Sequence, residues 1–389
     1  MAYDFETLNK KRAGNSAKWD VPNGDLPMTI ADMDFPTAPE IIEALQEKIS
    51  MGLFGYEEIP SEYFKAVADW YEKEHHARPQ EDWMIFATGV VPAISSAVRR
   101  LTSLGDNVLV QAPVYNIFYN SIVNSGRHVV SNDLVYDGKT HSYSIDFTDL
   151  EAKLSDPLTN MMILCNPHNP VGKIWTKSEL EKIASLCLKY DVKLFSDEIH
   201  GDITFNENGY NPIFGLDSQY LDNVVVAVSP SKTFNVAAMH AATIIVPNEN
   251  LRAQVSRGLN SEELAEPNFV AIPGTIAAYT KGGPWLKALK EQLLKNRRLV
   301  LDFIEKKIPQ LKWVPGQATY LLWFDISEIT DDADKLAQFI KDDSGLIINP
   351  GSVYRGDGQY FIRMNIASPQ SMIQDGLNRL EKSLNDYQK

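Results

Sequence analysis

Lys232 stands in Ser229-Pro230-Ser231-Lys232-Thr233-Phe234-Asn235, directly after the apolar run Val224 to Val228. A lone lysine past a strand is usually a solvated surface charge. Here its neighbours are hydroxyl, proline and apolar residues, and Phe234 to Ala238 continue without charge. Partial burial lowers the pKa of an amine, and an amine that sheds its proton condenses with an aldehyde to a Schiff base.

Other residues could serve one such aldehyde. Asp197 ends the strand-like run 192–196 in Ser196-Asp197-Glu198-Ile199-His200. A carboxylate there commonly caps a helix or meets solvent; it can also pair with a protonated ring nitrogen. His200 can donate to a ring oxygen or be a partly exposed histidine. Asn169, in Asn166-Pro167-His168-Asn169-Pro170, lies in what two Asn-Pro pairs alone mark as a turn; its amide could also bind a phenolic oxygen. Gly89 and Val90 open a helix after a strand, where backbone N–H groups cradle phosphate. Ser229 and Ser231 add hydroxyl donors. Tyr115 either packs among Phe118 and Tyr119 or stacks on a ring. An amine, an acid for a ring nitrogen and donors for a phosphate are the needs of pyridoxal 5'-phosphate. Arg363, in Phe361-Ile362-Arg363-Met364-Asn365, would alone read as a structural ion pair. Beside a cofactor that handles amino acids, its fork suits a substrate α-carboxylate.

The elements that must position these residues alternate along the chain. Residues 84–87, 108–111, 161–165, 192–196, 224–228 and 242–246 read as strands, and 91–103 and 177–190 carry helical spacing. Such alternation predicts an α/β fold on a largely parallel sheet, with its polar motifs just past the strand ends. From 284 the pattern changes to a long helix, short strands and a final helix, a smaller α+β unit. The expected division is therefore an N-terminal segment 1–50 packing with the small unit, a large unit 51–283, and a small unit 284–389.

Length and composition set limits. The chain has 389 residues, 44% hydrophobic and 23% charged, with a formal net charge of -14. An acidic balance disfavours general affinity for nucleic acid or anionic membrane. No stretch approaches the roughly 20 apolar residues that span a bilayer. Met1 to Lys18 carries charges of both signs and no apolar core, so a secretory leader is not expected. Cys165 and Cys187 are the only cysteines, too few for a disulfide framework and best read as small buried hydrophobes. The expectation is a cytoplasmic protein.

The chain resembles the fold-type I pyridoxal-phosphate enzymes of the class I/II aminotransferase superfamily, and within them the C–S lyase branch of MalY/PatB-type cystathionine β-lyases. The stretches that carry the resemblance include Lys18-Trp19-Asp20, Ala31-Asp32-Met33-Asp34-Phe35, Phe54-Gly55-Tyr56, Thr88-Gly89-Val90, Pro113-Val114-Tyr115, Asn166 to Gly172, Ser196 to His200, Ser229 to Asn235, Lys281 to Trp285 and Phe361 to Asn365. It implies that Lys232 holds the cofactor and then acts as base at the substrate Cα. Asp197 would pair with the ring nitrogen, Asn169 and His200 flank the ring oxygen, and Tyr115 stack on the ring. Gly89, Val90 and Ser229 would take the phosphate and Arg363 the substrate carboxylate. Tyr56 would arrive from the second subunit of a homodimer. Two departures stand out. Pro27-Met28-Thr29-Ile30 replaces a common Pro-Met-Trp-Val, which reshapes the substrate entrance. His240 stands where the wider superfamily often has an arginine.

The implied reaction is α,β-elimination from L-cystathionine, cysteine or related S-substituted cysteines. An aminotransferase shares the early steps and the same cofactor residues. A non-catalytic binding protein on the same fold would be expected to have lost Lys232, Asp197 or Arg363, and all three are present.

Overall fold

A computed structural model of the protein describes residues 3–8, 14–206 and 209–387. Positions 1, 2 and 9–13 of the N-terminal segment lie outside the described residues. A short strand β1 (Leu26–Pro27) comes first. It is followed by β2 (Met84–Ala87), β3 (Asn107–Val110), β4 (His128–Ser131), the hairpin of β5 (Val135–Asp137) and β6 (Ser142–Ser144), β7 (Thr159–Cys165), β8 (Lys193–Asp197), β9 (Val224–Val228) and β10 (Ala242–Ile245).

Seven of these strands form one sheet in the order β2-β10-β9-β8-β7-β3-β4. β4, β3, β7, β8 and β9 run parallel, and β10 pairs antiparallel with both β9 and β2. The central strands are buried along most of their length because both faces are covered, as in β9, buried at every residue, while the edge strand β4 is only half-buried. Successive side chains alternate between two layers. Met162, Leu164, Leu194, Val224, Val226 and Val228 enter one core; Met161, Ile163, Phe195, Val225 and Ala227 enter the other.

The antiparallel return of β10 has a local consequence. It starts at the sheet edge where β9 ends, with Thr243 opposite Val228. The connection 229–241 therefore stays at that edge, and Lys232 stays with it. Asp197 closes β8 there, in register with Cys165 of β7 and Ala227 of β9.

Beyond the long helix Gly283–Lys307 come β11 (Lys312–Trp313), β12 (Leu321–Asp325), β13 (Leu346–Ile347), β14 (Asn349–Pro350) and β15 (Phe361–Asn365). β11, β12, β15 and β14 form an antiparallel sheet in that order. β13 instead pairs in parallel with β1, which ties the N-terminal strand to this part. Helix Pro39–Ser50 departs from the packing expected for segment 1–50: it lies along helix Ala271–Lys281. A Cβ at Gly274 would stand 2.5 Å from Met239 Cε and 3.3 Å from Leu45 Cδ2, so the glycine chiefly makes room for Met239 beside that contact. Among the described residues no helix is long and apolar enough to cross a membrane.

Residues 29–35 run between the two sheets, fastened largely through their backbone. Asn365 Nδ2 donates to Ile30 O (2.7 Å) and Asp32 O (2.8 Å), and Tyr320 Oη to Ala31 O (2.9 Å). Asn235 Nδ2 donates to Met33 O (3.1 Å) and Phe35 O (2.9 Å). The buried Asp34 carboxylate accepts from Lys18 Nζ (2.8 Å), Trp19 Nε1 (2.9 Å) and Ser368 Oγ (2.6 Å).

Candidate active site

At the carboxyl edge of the parallel strands lies a cavity of about 520 Å³. Gly89, Val90, Tyr115, Asn169, Asp197, His200, Ser229, Ser231, Lys232 and Arg363 all line it. This is where open α/β sheets place ligands, and the topology explains the convergence. Asn169, Asp197 and Lys232 follow or end the adjacent strands β7, β8 and β9, while Arg363 enters from β15.

Lys232 sits in the single-turn helix Pro230–Thr233, and its Nζ donates to Ala31 O at 3.0 Å. Burial pushes its pKa down, assisted by the Arg363 charge and opposed by Asp32 and Asp197. Asp197 is buried, and one carboxylate oxygen accepts from the Ile199 N–H at 3.1 Å. Desolvation raises its pKa to about 7. His200 is driven to about 3 by burial and by the cations Lys232 and Arg363, so its imidazole is neutral. Its Nδ1 is buried without a hydrogen-bond partner.

Arg363 is 5% exposed. Nη1 donates to Asn169 Oδ1 (3.0 Å), and Nη2 to Thr29 O (3.1 Å) and Asn349 Oδ1 (3.2 Å). Its guanidinium lies 4.9 Å from the Tyr354 ring centroid, and Nε has no partner. Among the described residues no carboxylate forms an ion pair with it. A buried cation held only by neutral acceptors favours an incoming anion.

Gly89 caps helix Val90–Leu101 at φ 151°. That backbone conformation is open to glycine and strained for other residues, and it bares the helix N-terminus to the cavity. The Ser229 hydroxyl donates to Ala241 O (2.7 Å) and accepts from Ser231 N (3.1 Å), with Ser231 Oγ 2.9 Å away. Ser229 thus spends its hydrogen on the backbone. Tyr115 packs edge-on to Phe118 with ring centroids 5.7 Å apart. Cys165 also lines the cavity, where burial and the Asp197 charge raise its thiol pKa.

Tyr56 is the singled-out residue that this chain does not bring in. It is 105% exposed, on the connection between helices Pro39–Ser50 and Ser61–His75. Sequence reasoning also missed residues. Asn349 and Tyr354, both contacts of Arg363, sit in what reads as a Gly/Pro loop. The Thr29 and Ala31 carbonyls act through the backbone, which leaves no side-chain signal.

The chain belongs to the aminotransferase class I and II family, which it matches over residues 24–380. It is 37% identical to the cystathionine β-lyase PatB of Bacillus subtilis over 98% of this chain and 100% of that one. It is 33% identical to the protein MalY of Escherichia coli, covering 96% and 97% of the two chains. Among solved structures it resembles cystalysin from Treponema denticola, whose crystal structure contains a pyridoxal 5'-phosphate cofactor. That likeness has a TM-score of 0.94 and 34% identity over 99% of this chain and 100% of that one.

Proposed function

We propose that the protein is a pyridoxal-phosphate-dependent C–S β-lyase. It cleaves L-cystathionine, and S-substituted cysteines more widely, to a thiol, pyruvate and ammonia. The observation that carries this reading is Arg363, a buried cation fixed to Thr29 O two residues from the carbonyl that holds Lys232. An α-carboxylate at the guanidinium places an amino acid's Cα near the lysine amine. The choice of C–S cleavage rests on the likeness to PatB.

The cavity fits the cofactor. Lys232 offers an amine of lowered pKa, Asp197 a buried carboxylate, and His200 an unpartnered ring nitrogen. Lys232 would bind the aldehyde, Asp197 the ring nitrogen, and Asn169 and His200 the ring oxygen. Asn169 already gives its amide oxygen to Arg363, which leaves its N–H groups for that bond. Tyr115 would cover the ring, while Gly89, Val90 and Ser231, with Ser229 behind it, would hold the phosphate. When bound, the cofactor supplies an electron sink for charge developed at the substrate Cα.

The protein residues do the rest. Arg363 binds and orients the carboxylate. Lys232 removes the Cα proton, the Cβ–S bond breaks, and the sulfur leaves with the bonding pair as thiolate. Water then converts the released 2-aminoacrylate to pyruvate and ammonium. One thioether and one water give one thiol, one pyruvate and one ammonium, with no net oxidation.

The large unit 51–283 would hold the cofactor and the unit 284–389 would supply Arg363. The working form would be a cytoplasmic homodimer. Exposed Met51, Leu53, Phe54 and Tyr56 form an apolar stretch suited to a second copy, whose Tyr56 would complete the site. The test is a product assay with loaded protein, L-cystathionine and no keto acid. Pyruvate and free thiol appearing together support β-elimination. Turnover only after adding a keto acid would move the protein to the aminotransferases.

A further inference from the structure

We infer that this site selects S-substituents that are apolar and uncharged, and that Ile30 and Val353 make the selection. This rests on the lyase reading above and ranks its substrates: S-alkyl and S-aralkyl cysteines ahead of L-cystathionine. Ile30 is bracketed by two anchors on its own segment, with Thr29 O on Arg363 Nη2 (3.1 Å) and Ala31 O on Lys232 Nζ (3.0 Å). A substrate held by Arg363 and worked on by Lys232 therefore carries its side chain past Ile30. Val353 precedes Tyr354, whose ring lies against the Arg363 guanidinium at 4.9 Å.

Both residues line the cavity and yet are 41% and 38% exposed. A residue that does both stands at the mouth. Asn116 and Ile117 also line the cavity. Among the described residues, the acidic side chain lining the cavity is Asp197 and the basic ones besides histidine are Lys232 and Arg363, and the cofactor and the amino-acid head group would occupy all three. His200 is neutral. His240 adjoins Ala241, whose carbonyl takes the Ser229 hydroxyl (2.7 Å), at the phosphate end.

Cystathionine carries a second ammonium and carboxylate at its far end. Desolvating them against isoleucine and valine is unfavourable. An alkyl chain of similar length gains from the same surface.

The experiment uses the loaded, full-length protein. Pyruvate formation gives kcat/KM for L-cysteine, S-ethyl-, S-butyl- and S-benzyl-L-cysteine and L-cystathionine. In parallel, calorimetry measures binding of 3-(ethylthio)- and 3-(butylthio)propanoate, which lack the amine and cannot react. Both series should rise about two- to fourfold per added methylene, and cystathionine should fall at least tenfold below S-butyl-L-cysteine. Ile30→Asp and Val353→Asp should each flatten the rise, and Leu294→Asp on a remote helix should leave it intact. Cystathionine matching or exceeding the butyl substrate overturns the inference. So does a rise unaffected by both substitutions, including the case where they alter only the oligomer mass and the mouth proves to be a subunit contact. Absence of pyruvate from every substrate, L-cysteine included, would instead sink the lyase reading. The propanoate series still reads the mouth in that event.

Discussion

Asn169 Oδ1 accepts a hydrogen bond from Arg363 Nη1 at 3.0 Å, across 194 residues of sequence. The amide belongs to the edge of the main sheet and the guanidinium to the C-terminal sheet. One contact therefore sets the carboxylate anchor relative to the ring-oxygen donor. Removing the guanidinium should cost a charge-assisted pair. We expect Arg363→Ala to raise KM for α-carboxylate substrates about 10- to 100-fold, measured by steady-state pyruvate formation. An unchanged KM would remove Arg363 from substrate binding.

Lys232 carries a different expectation. Lys232→Ala should abolish pyruvate release, and its protein should lose the visible absorbance of the lysine-bound cofactor. Turnover at the wild-type rate in that variant would refute the assignment.

Asp197 gives a pH prediction for the cofactor-free protein. Its folded pKa, about 7, lies above the ordinary carboxylate value. Between those values the folded chain holds a proton that the unfolded chain has released, so stability falls as pH rises from about 4 to about 7. Asp197→Asn should flatten that fall and raise the melting temperature at pH 8 by roughly 5 °C. Glu198, raised to about 7 by burial, keeps part of the slope. Melting curves across that range that show no difference between the two proteins would count against the prediction.

The Lys18–Asp34 pair is a stability test. The side chains are 1% and 2% exposed, at 2.8 Å. Lys18→Met leaves a buried carboxylate with fewer donors and should destabilise by about 3–5 kcal/mol in denaturant unfolding. A loss under 1 kcal/mol would show the pair to be dispensable.

For Tyr56 the check is complementation. Mixed Tyr56→Phe and Lys232→Ala protomers should regain about a quarter of wild-type activity, because half of the random dimers carry one whole site. No recovery would place the work of Tyr56 within its own chain.

Six strands of the main sheet were legible because burial makes them largely apolar runs, whereas the edge strand β4, with His128 exposed and its other residues half-buried, was missed. The direction of 242–246 was not legible, since an apolar run has no polarity; pairing with β9 decides it. Asp197 read as the end of its strand and is the last residue of β8; its register with Cys165 fixes the carboxylate at the edge. Lys232, Asp197 and Arg363 stood out because charge beside apolar sequence is conspicuous. Asn349 and Tyr354 lay hidden in a loop whose glycines and proline announce a turn and nothing about what the turn approaches.

The fastening of residues 29–35 uses chiefly the carbonyls of Thr29, Ile30, Ala31, Asp32, Met33 and Phe35. Every amino acid brings the same carbonyl. Positions 29 and 30 can therefore change side chain while the ties to Arg363, Lys232, Tyr320 and Asn365 persist. Substrate range can drift there under selection with little toll on folding, and directed evolution of this chain should begin at those two positions.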